Sequence, residues 1–221
     1  MELKGELFSA GVGLWFWLVY LALLFNALRL AAWRGLLGEN RLHLFLGTCV
    51  ALVLLWSVRA EVNAGLSFHL LGLPVVTLMF GWSFGMLAGS LALLGVNLNL
   101  GGGWGNYALN ALVLVAVPVS LTQAALVLAR SLLPKNFFIY VLVNGFLAAG
   151  LVMVVTCYLA AGLLVLGGVY EYAELDETFL LFVPLMAMPE AFLNGWIITV
   201  MVAMRPQWVY SFSDAQYIKG K

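Results

Sequence analysis

The chain has 221 residues, of which 64% are hydrophobic and 9% are charged, and its mean hydropathy is +1.05. Because soluble domains carry about 25% charged residues, this composition excludes a soluble protein. It predicts one integral membrane domain over residues 1–221, embedded in a lipid bilayer. The formal net charge is zero, so bulk charge predicts no nucleic-acid partner.

Apolar runs long enough to cross a bilayer recur along the chain, and polar segments separate them. We predict an all-α polytopic membrane protein with about seven transmembrane helices, two of them short and contained within residues 66–98. The predicted spans are 11–32, 42–58, the two halves of 66–98, 108–129, 137–167 and 179–204. The segments between them are predicted to be loops at 33–41, 97–107 and 168–178, and residues 205–221 form a polar tail.

The stretch from Leu66 to Leu98 is too long for one ordinary span, which needs about 20 apolar residues. It carries Pro74 near its start and Gly81 in its middle. We therefore predict two short helices, over 67–80 and 82–96, joined at Gly81. Broken helices at membrane depth are tolerated where they face protein or a cavity, and they often mark a binding site.

The basic residues favour seven crossings over six. Seven crossings place eight of the ten Lys and Arg residues on one side and only Lys4 and Arg59 on the other, whereas six give a split of seven to three. Segments rich in Lys and Arg stay in the cytoplasm. We expect a multi-pass protein of the bacterial inner membrane, with the N-terminus outside and residues 205–221 forming a cytoplasmic tail.

The same topology places most acidic side chains outside. Two explanations stay open: a negative outer mouth that concentrates cations, or acids that accumulate where Lys and Arg are excluded. The outer acids are Glu2, Glu6, Glu61, Glu171, Glu174, Asp176 and Glu177.

Two histidines are candidate metal ligands, because imidazole is the commonest side-chain ligand of Ni, Co, Cu and Zn. His69 lies at the outer edge of the broken stretch, where it is either a ligand or a hydrogen-bonded interfacial residue. His43 begins the second span beside Arg41, and we interpret it as interfacial.

Glu190 lies in the middle of the last span, where an ionisable group is costly and is a functional candidate by default. No Lys or Arg lies at matching depth. The side chain is either a neutral acid hydrogen-bonded to amides such as Asn110 or Asn194, or an ionised carboxylate facing water. We favour the neutral, structural form.

Buried amides accompany Glu190. Asn194 follows it by one helical turn on the same face, and Asn106 and Asn110 share a face of another span. Each amide alone more often joins helices than binds a substrate. Together the four residues Asn106, Asn110, Glu190 and Asn194 form a candidate substrate path.

Motifs for enzymatic chemistry are absent from the sequence. There is no nucleotide-binding loop, no HExxH and no nucleophile motif, and the Gly-rich segment at 101–105 lacks the strand–turn–helix context of a phosphate cradle. We therefore expect no enzymatic activity, and any energy from ATP must come from another chain.

Three segments carry a resemblance to a known family: GLSFHLLG around His69, GGGWGNYALNALVLVAVPVS, and PEAFLNGWIITVMVA. Over residues 5–204 the chain resembles the CbiM-like cobalt/nickel permease family, the membrane subunits of energy-coupling-factor ABC transporters. The resemblance implies that His69 is a metal ligand and that the substrate is a divalent transition metal, Ni or Co. It also implies a transmembrane coupling subunit and ATPase subunits as partners.

The sequence departs from the family at two places. Metal-binding members begin Met-His and use that His as a ligand, whereas this chain has Glu2; Asn194 stands where the family has Glu. Two hypotheses therefore stay open. The chain is either the substrate-binding subunit of a metal importer, or a non-transporting scaffold subunit of a larger membrane complex that kept the fold and lost the metal site.

Overall fold

The computed structural model describes residues 10–38, 41–63, 66–99 and 104–218, and most of them are helical. The first half of the chain forms five helices and one small hairpin within these ranges. The helices are α1 (Ala10–Leu30), α2 (Trp33–Gly38), α3 (Leu42–Ser57), α4 (Leu73–Phe80) and α5 (Trp82–Asn99). The antiparallel hairpin of β1 (Ala60–Asn63) and β2 (Leu66–Phe68) connects α3 to α4.

The second half contains three long helical segments, two of which include π-helical turns. The first joins α6 (Tyr107–Ala111), a π-helical segment (Leu112–Ala116) and α7 (Val117–Leu132). The second joins α8 (Phe137–Ile139), a π-helical segment (Tyr140–Leu147) and α9 (Ala148–Leu166). The third contains α10 (Tyr172–Thr178), a 3-10 turn (Leu180–Phe182) and α11 (Val183–Met204). A 3-10 turn (Pro206–Trp208) and α12 (Asp214–Tyr217) follow.

Four helical segments of the described chain are long and apolar enough to cross a membrane: Gly11–Leu30, Tyr107–Leu132, Phe137–Leu166 and Tyr172–Met204. The shorter helix α3 is also apolar. This agrees with the predicted all-α membrane protein, apart from the hairpin, which the sequence analysis missed. The count of seven crossings stays a prediction.

The predicted break at Gly81 is confirmed, but the predicted start of the first short helix is wrong. Gly81 separates α4 from α5 with a φ of +85°, a conformation that glycine adopts without strain. Residues 66–72 are not helical, because Leu66–Phe68 pairs as a strand and Gly72 is left-handed. Helix α4 begins only at Leu73, with Pro74 in its first turn, where proline is favoured.

Three further boundaries differ from those predicted. The second short helix continues to Asn99, and short helices α2 and α10 lie within the predicted loops 33–41 and 168–178. Both α2 and α10 are under three turns long, which is too short for a clear periodic signal in the sequence. The predicted turn at 97–107 lies partly outside the described residues.

Helix α4 is the centre of the packing. All of its eight residues are buried, and it contacts α5, α7, α9 and α11. A helix of this length is only about 12 Å long, far shorter than a bilayer is thick. Because its first and last residues are buried, both of its ends lie within the protein. The unpaired backbone groups at those ends therefore need partners from other elements.

The helix termini lie at two opposite ends of the bundle. At the tail end, Arg41, the residue before α3, donates to the carbonyl of Trp208, and Arg130 of α7 donates to the carbonyl of Ser211. At the hairpin end, Phe68 of β2 stacks on Phe179 with ring centroids 4.6 Å apart. We use the names tail end and hairpin end for these two ends below.

Candidate functional site

His69 follows strand β2 and is buried, with 7% of its surface exposed. Its Nδ1 lies 3.1 Å from the carbonyl oxygen of Leu70. In a neutral ring, an N–H on Nδ1 that donates to this carbonyl leaves the lone pair of Nε2 available as a ligand atom. The ring of Trp56 on α3 packs against the imidazole, with centroids 5.3 Å apart. His43, in contrast, is exposed on α3.

The backbone after His69 is fixed by α3. The indole Nε1 of Trp56 donates to the carbonyl of Leu71 at 2.9 Å. Gly72 has a φ of +64°, and a Cβ at this position would lie 2.9 Å from Cδ2 of Leu55. Glycine adopts this conformation without strain, and a larger residue here would also displace the Leu55 side chain of α3. The segment from His69 to Gly72 therefore has one defined path into α4.

Glu190 and Asn194 of α11 bind the start of α4 and the residues before it. Oε2 of Glu190 accepts from the N–H of Leu71 at 2.7 Å, and Oε1 accepts from the N–H of Gly72 at 2.8 Å. Oδ1 of Asn194 accepts from the N–H of Val75 at 2.8 Å. Both side chains are 0% exposed. Two side chains of one helix thus satisfy three backbone N–H groups at the start of another.

The two side chains also bind each other. Nδ2 of Asn194 donates to Oε1 of Glu190 and to its backbone carbonyl, each at 2.7 Å. The predicted hydrogen bond between Glu190 and Asn194 is therefore confirmed. The backbone partners were missed, because they lie more than a hundred residues away in sequence and no local pattern indicates them.

Three N–H groups point at the two oxygens of Glu190, two from the backbone and one from Asn194. A charge at this depth costs about 2.5–3.5 kcal/mol on insertion scales, whereas hydrogen bonds to a charged group contribute about 1.5–3 kcal/mol each. Complete burial opposes the charge and the donors favour it, so the neutral form expected from the sequence stays a prediction.

The residues after α11 bind the opposite end of α4. The N–H of Tyr210 donates to the carbonyl of Met79 at 2.9 Å, and the N–H of Ser211 donates to that of Leu78 at 3.1 Å. The hydroxyl of Ser211 also donates to the carbonyl of Leu78 at 2.7 Å. The tail predicted from its polar composition is thus ordered through Ile218 and packed on the helices. That it lies in the cytoplasm stays a prediction.

Asn106 and Asn110 lie at the start of the segment Tyr107–Leu132. The N–H of Asn110 donates to the carbonyl of Asn106, and the side chain of Asn110 is 5% exposed. Asn106 is the residue before α6 and Asn110 lies within α6, and a backbone hydrogen bond joins them. A continuous substrate path through all four residues stays a prediction.

Among the described residues, no group of three or more His, Cys, Asp or Glu side chains could hold a metal ion together. Glu2, which stands in place of a family ligand, lies outside the described residues. His69 is therefore the one predicted ligand whose surroundings are described. The two cysteines are buried and free, at Cys49 and Cys157.

Comparison with known protein families gives a match over most of the chain. Residues 3–208 match the family described as cobalt uptake substrate-specific transmembrane region. This range contains all of the candidate residues from His69 to Asn194. Neither the curated proteins nor the solved structures contain a match to the chain.

Proposed function

The chain belongs to the family of cobalt uptake substrate-specific transmembrane proteins, and from that premise we propose that it is the substrate-binding subunit of an energy-coupling-factor importer. Membership confirms the resemblance inferred from the segments around His69 and Glu190. The chain is thus a multi-pass membrane component of cobalt uptake. The proposal adds that the substrate class is divalent cobalt or nickel, and that transport uses ATP hydrolysed by separate subunits.

Seven crossings are supported by the end of the bundle, tail end or hairpin end, at which each described helix starts and stops. The end of α4 lies at the tail end with the start of α3 and the end of α7. Helix α4 with the residues before it then crosses in one direction, and α5 returns. The first and last helices run in the same direction, so the two termini lie on opposite sides. We propose that the hairpin end faces outward and the tail end faces the cytoplasm of a bacterial inner membrane.

One observation carries the proposed metal site: the imidazole of His69 is buried and held at the start of the broken helix. Trp56 packs on the ring. Two hydrogen bonds fix Leu71, two residues later: its carbonyl accepts from Trp56, and its N–H donates to Glu190. A ligand held in one orientation loses little freedom on binding a metal. His69 would supply Nε2 as one ligand of the metal.

The proposed partners are a transmembrane coupling subunit and ATPase subunits. The sequence has no nucleotide-binding loop, so the energy must come from another chain. Basic side chains at the tail end are candidate docking residues. Arg34 and Lys135 are exposed, whereas Arg41 and Arg130 bind carbonyls of the tail. Arg34 and Lys135 are therefore the better candidates.

The scaffold hypothesis is not favoured. The matching family is one of uptake proteins, and the match includes both His69 and the Glu190–Asn194 pair. A scaffold that had lost the metal site could carry an apolar side chain at position 69, whereas this chain keeps the imidazole of His69. Transport therefore remains the proposed function.

Uptake of radioactive cobalt tests this proposal. Cells that express the chain with a coupling subunit and ATPase subunits should accumulate Co²⁺, and a variant of the ATPase nucleotide-binding Lys should abolish accumulation. His69→Ala should also abolish it, whereas His43→Ala, at the exposed histidine, should not. Equal accumulation with and without active ATPase subunits would refute the importer.

A further inference from the structure

We propose that Glu190 and Asn194 are positioning residues that hold His69 in its ligand orientation, and that neither binds the metal. This inference rests on the proposed role of His69 as a ligand. It gives Glu190 and Asn194 a different task from the substrate path suggested by their depth in the membrane. The two residues act through the backbone of Leu71, Gly72 and Val75.

The oxygens of Glu190 are already occupied. Oε2 accepts from Leu71, and Oε1 accepts from both Gly72 and Asn194, at 2.7–2.8 Å. The three donors use three of the roughly four lone-pair sites of a carboxylate, so a metal would compete with them, and each backbone N–H group that it displaced would be buried without a partner. Each such loss costs about 1–3 kcal/mol. The carboxylate is therefore engaged in structure rather than available as a ligand.

The bound backbone leads directly to His69. Leu71 is held on both sides, since its N–H donates to Glu190 and its carbonyl accepts from Trp56. Trp56 in turn packs against the imidazole. If Glu190 is replaced by Gln or Leu, Leu71 and Gly72 lose one or both of their acceptors, and the segment can move away from Trp56. The first consequence is a change in the orientation and exposure of the His69 ring.

Both oxygens of Glu190 are needed for this arrangement, because each accepts from a different backbone N–H group. A glutamine has one acceptor oxygen and one NH₂ group, so it would turn a donor toward one of the backbone N–H groups. Gln therefore cannot satisfy Leu71 and Gly72 together. Asp keeps both acceptors but is one methylene shorter. The expected order of disruption is Gln and Leu most, Asp less.

Chemical modification of the histidines tests the inference without metal. The chain has only two histidines, so diethyl pyrocarbonate labelling followed by mass spectrometry reports each one separately. In the wild-type protein, buried His69 should react at least about tenfold more slowly than exposed His43, since modification requires access to the ring. In Glu190→Gln, the rate at His69 should rise several-fold and the rate at His43 should stay unchanged.

Three variants complete the design. Asn194→Ala removes the acceptor of Val75 and should expose His69 to a smaller degree, and it serves where Glu190→Gln fails to fold. Glu190→Asp should restore part of the protection. Thr199→Val is the matched control on α11, because its hydroxyl binds only the carbonyl of Gly195 within the same helix. It should leave both rates unchanged.

Cobalt affinity of the same variants gives the second measurement. Glu190→Gln should weaken Co²⁺ binding at least about tenfold, and added imidazole should restore part of it by replacing the displaced ring. His69 remaining protected in both Glu190→Gln and Asn194→Ala would overturn the positioning role. Exposure of His69 in a protein that never binds cobalt would support the positioning role and refute the proposed function instead.

Discussion

The tail's attachment to α4 gives a quantitative prediction about Ser211 and Tyr140. Ser211 is 1% exposed and Tyr140 is 0% exposed, and their hydroxyls lie 2.5 Å apart. Because Ser211 uses its single hydrogen for the carbonyl of Leu78, Tyr140 must donate to Ser211. The two hydroxyls thus form a directed chain from the π-helical segment through the tail to the end of α4.

Ser211→Ala should destabilise the protein by about 2–4 kcal/mol. The change removes the bond to Leu78, with a net contribution of about 1 kcal/mol, and leaves the Tyr140 hydroxyl buried without an acceptor, which costs about 1–3 kcal/mol. Tyr140→Phe should cost only about 1 kcal/mol, because Ser211 keeps its bond to Leu78. With Phe at position 140, Ser211→Ala should then cost only about 1 kcal/mol, which corresponds to a coupling of about 1–3 kcal/mol.

Reversible unfolding in mixed detergent micelles measures the four free energies of this cycle. Ser213→Ala is the matched control, since Ser213 is exposed two residues later in the same tail. It should change the free energy of unfolding by less than about 0.5 kcal/mol. An additive cycle, or a Ser211→Ala variant as stable as the Ser213→Ala control, would refute the proposed hydrogen-bond chain.

Two further predictions concern helix packing and topology. Gly195→Ala should destabilise the protein by about 1–3 kcal/mol, because the added Cβ would lie 2.3 Å from the ring of Phe146. Gly162→Ala is the control and should be neutral or slightly stabilising, because the space around Gly162 is open. Thermal unfolding compares the two variants. For topology, a cysteine at exposed Val169 should react with an impermeant thiol reagent from outside intact cells, and one at exposed Ser131 should not; the reverse pattern would contradict the proposed orientation.

The break between α4 and α5 was predictable because its cause is local. Gly81 interrupts an apolar stretch too long for one span, and a positive φ at that position needs glycine. The contact between Glu190 and Asn194 was predictable for the same reason, since residues four apart share a face of a helix. Local spacing was enough in both cases.

The partners of those residues could not be read from the sequence. Glu190 binds the backbone of Leu71 and Gly72, and backbone N–H groups are identical in every residue except proline. Only the three-dimensional approach of α11 to α4 selects them. The sequence offered no cationic partner for Glu190, and it could not show the backbone donors that the fold supplies at the helix start.

The order of the tail was missed for a related reason. Its polar and aromatic composition is typical of a segment outside the membrane, but Val209, Ser211 and Phe212 are buried against the bundle. Their burial depends on the open carbonyls at the end of α4, and these exist only because the helix stops at Phe80. The hairpin before α4 was missed because its strands are only four and three residues long.

Cobalt binding to the purified protein tests the central claim most directly. Equilibrium dialysis or calorimetry should show saturable Co²⁺ binding to the wild-type chain and to His43→Ala, with the control histidine exposed on α3. His69→Ala should fold normally and lose binding, because it removes the buried imidazole at the start of the broken helix. Equal cobalt affinity in His69→Ala and His43→Ala would contradict the account.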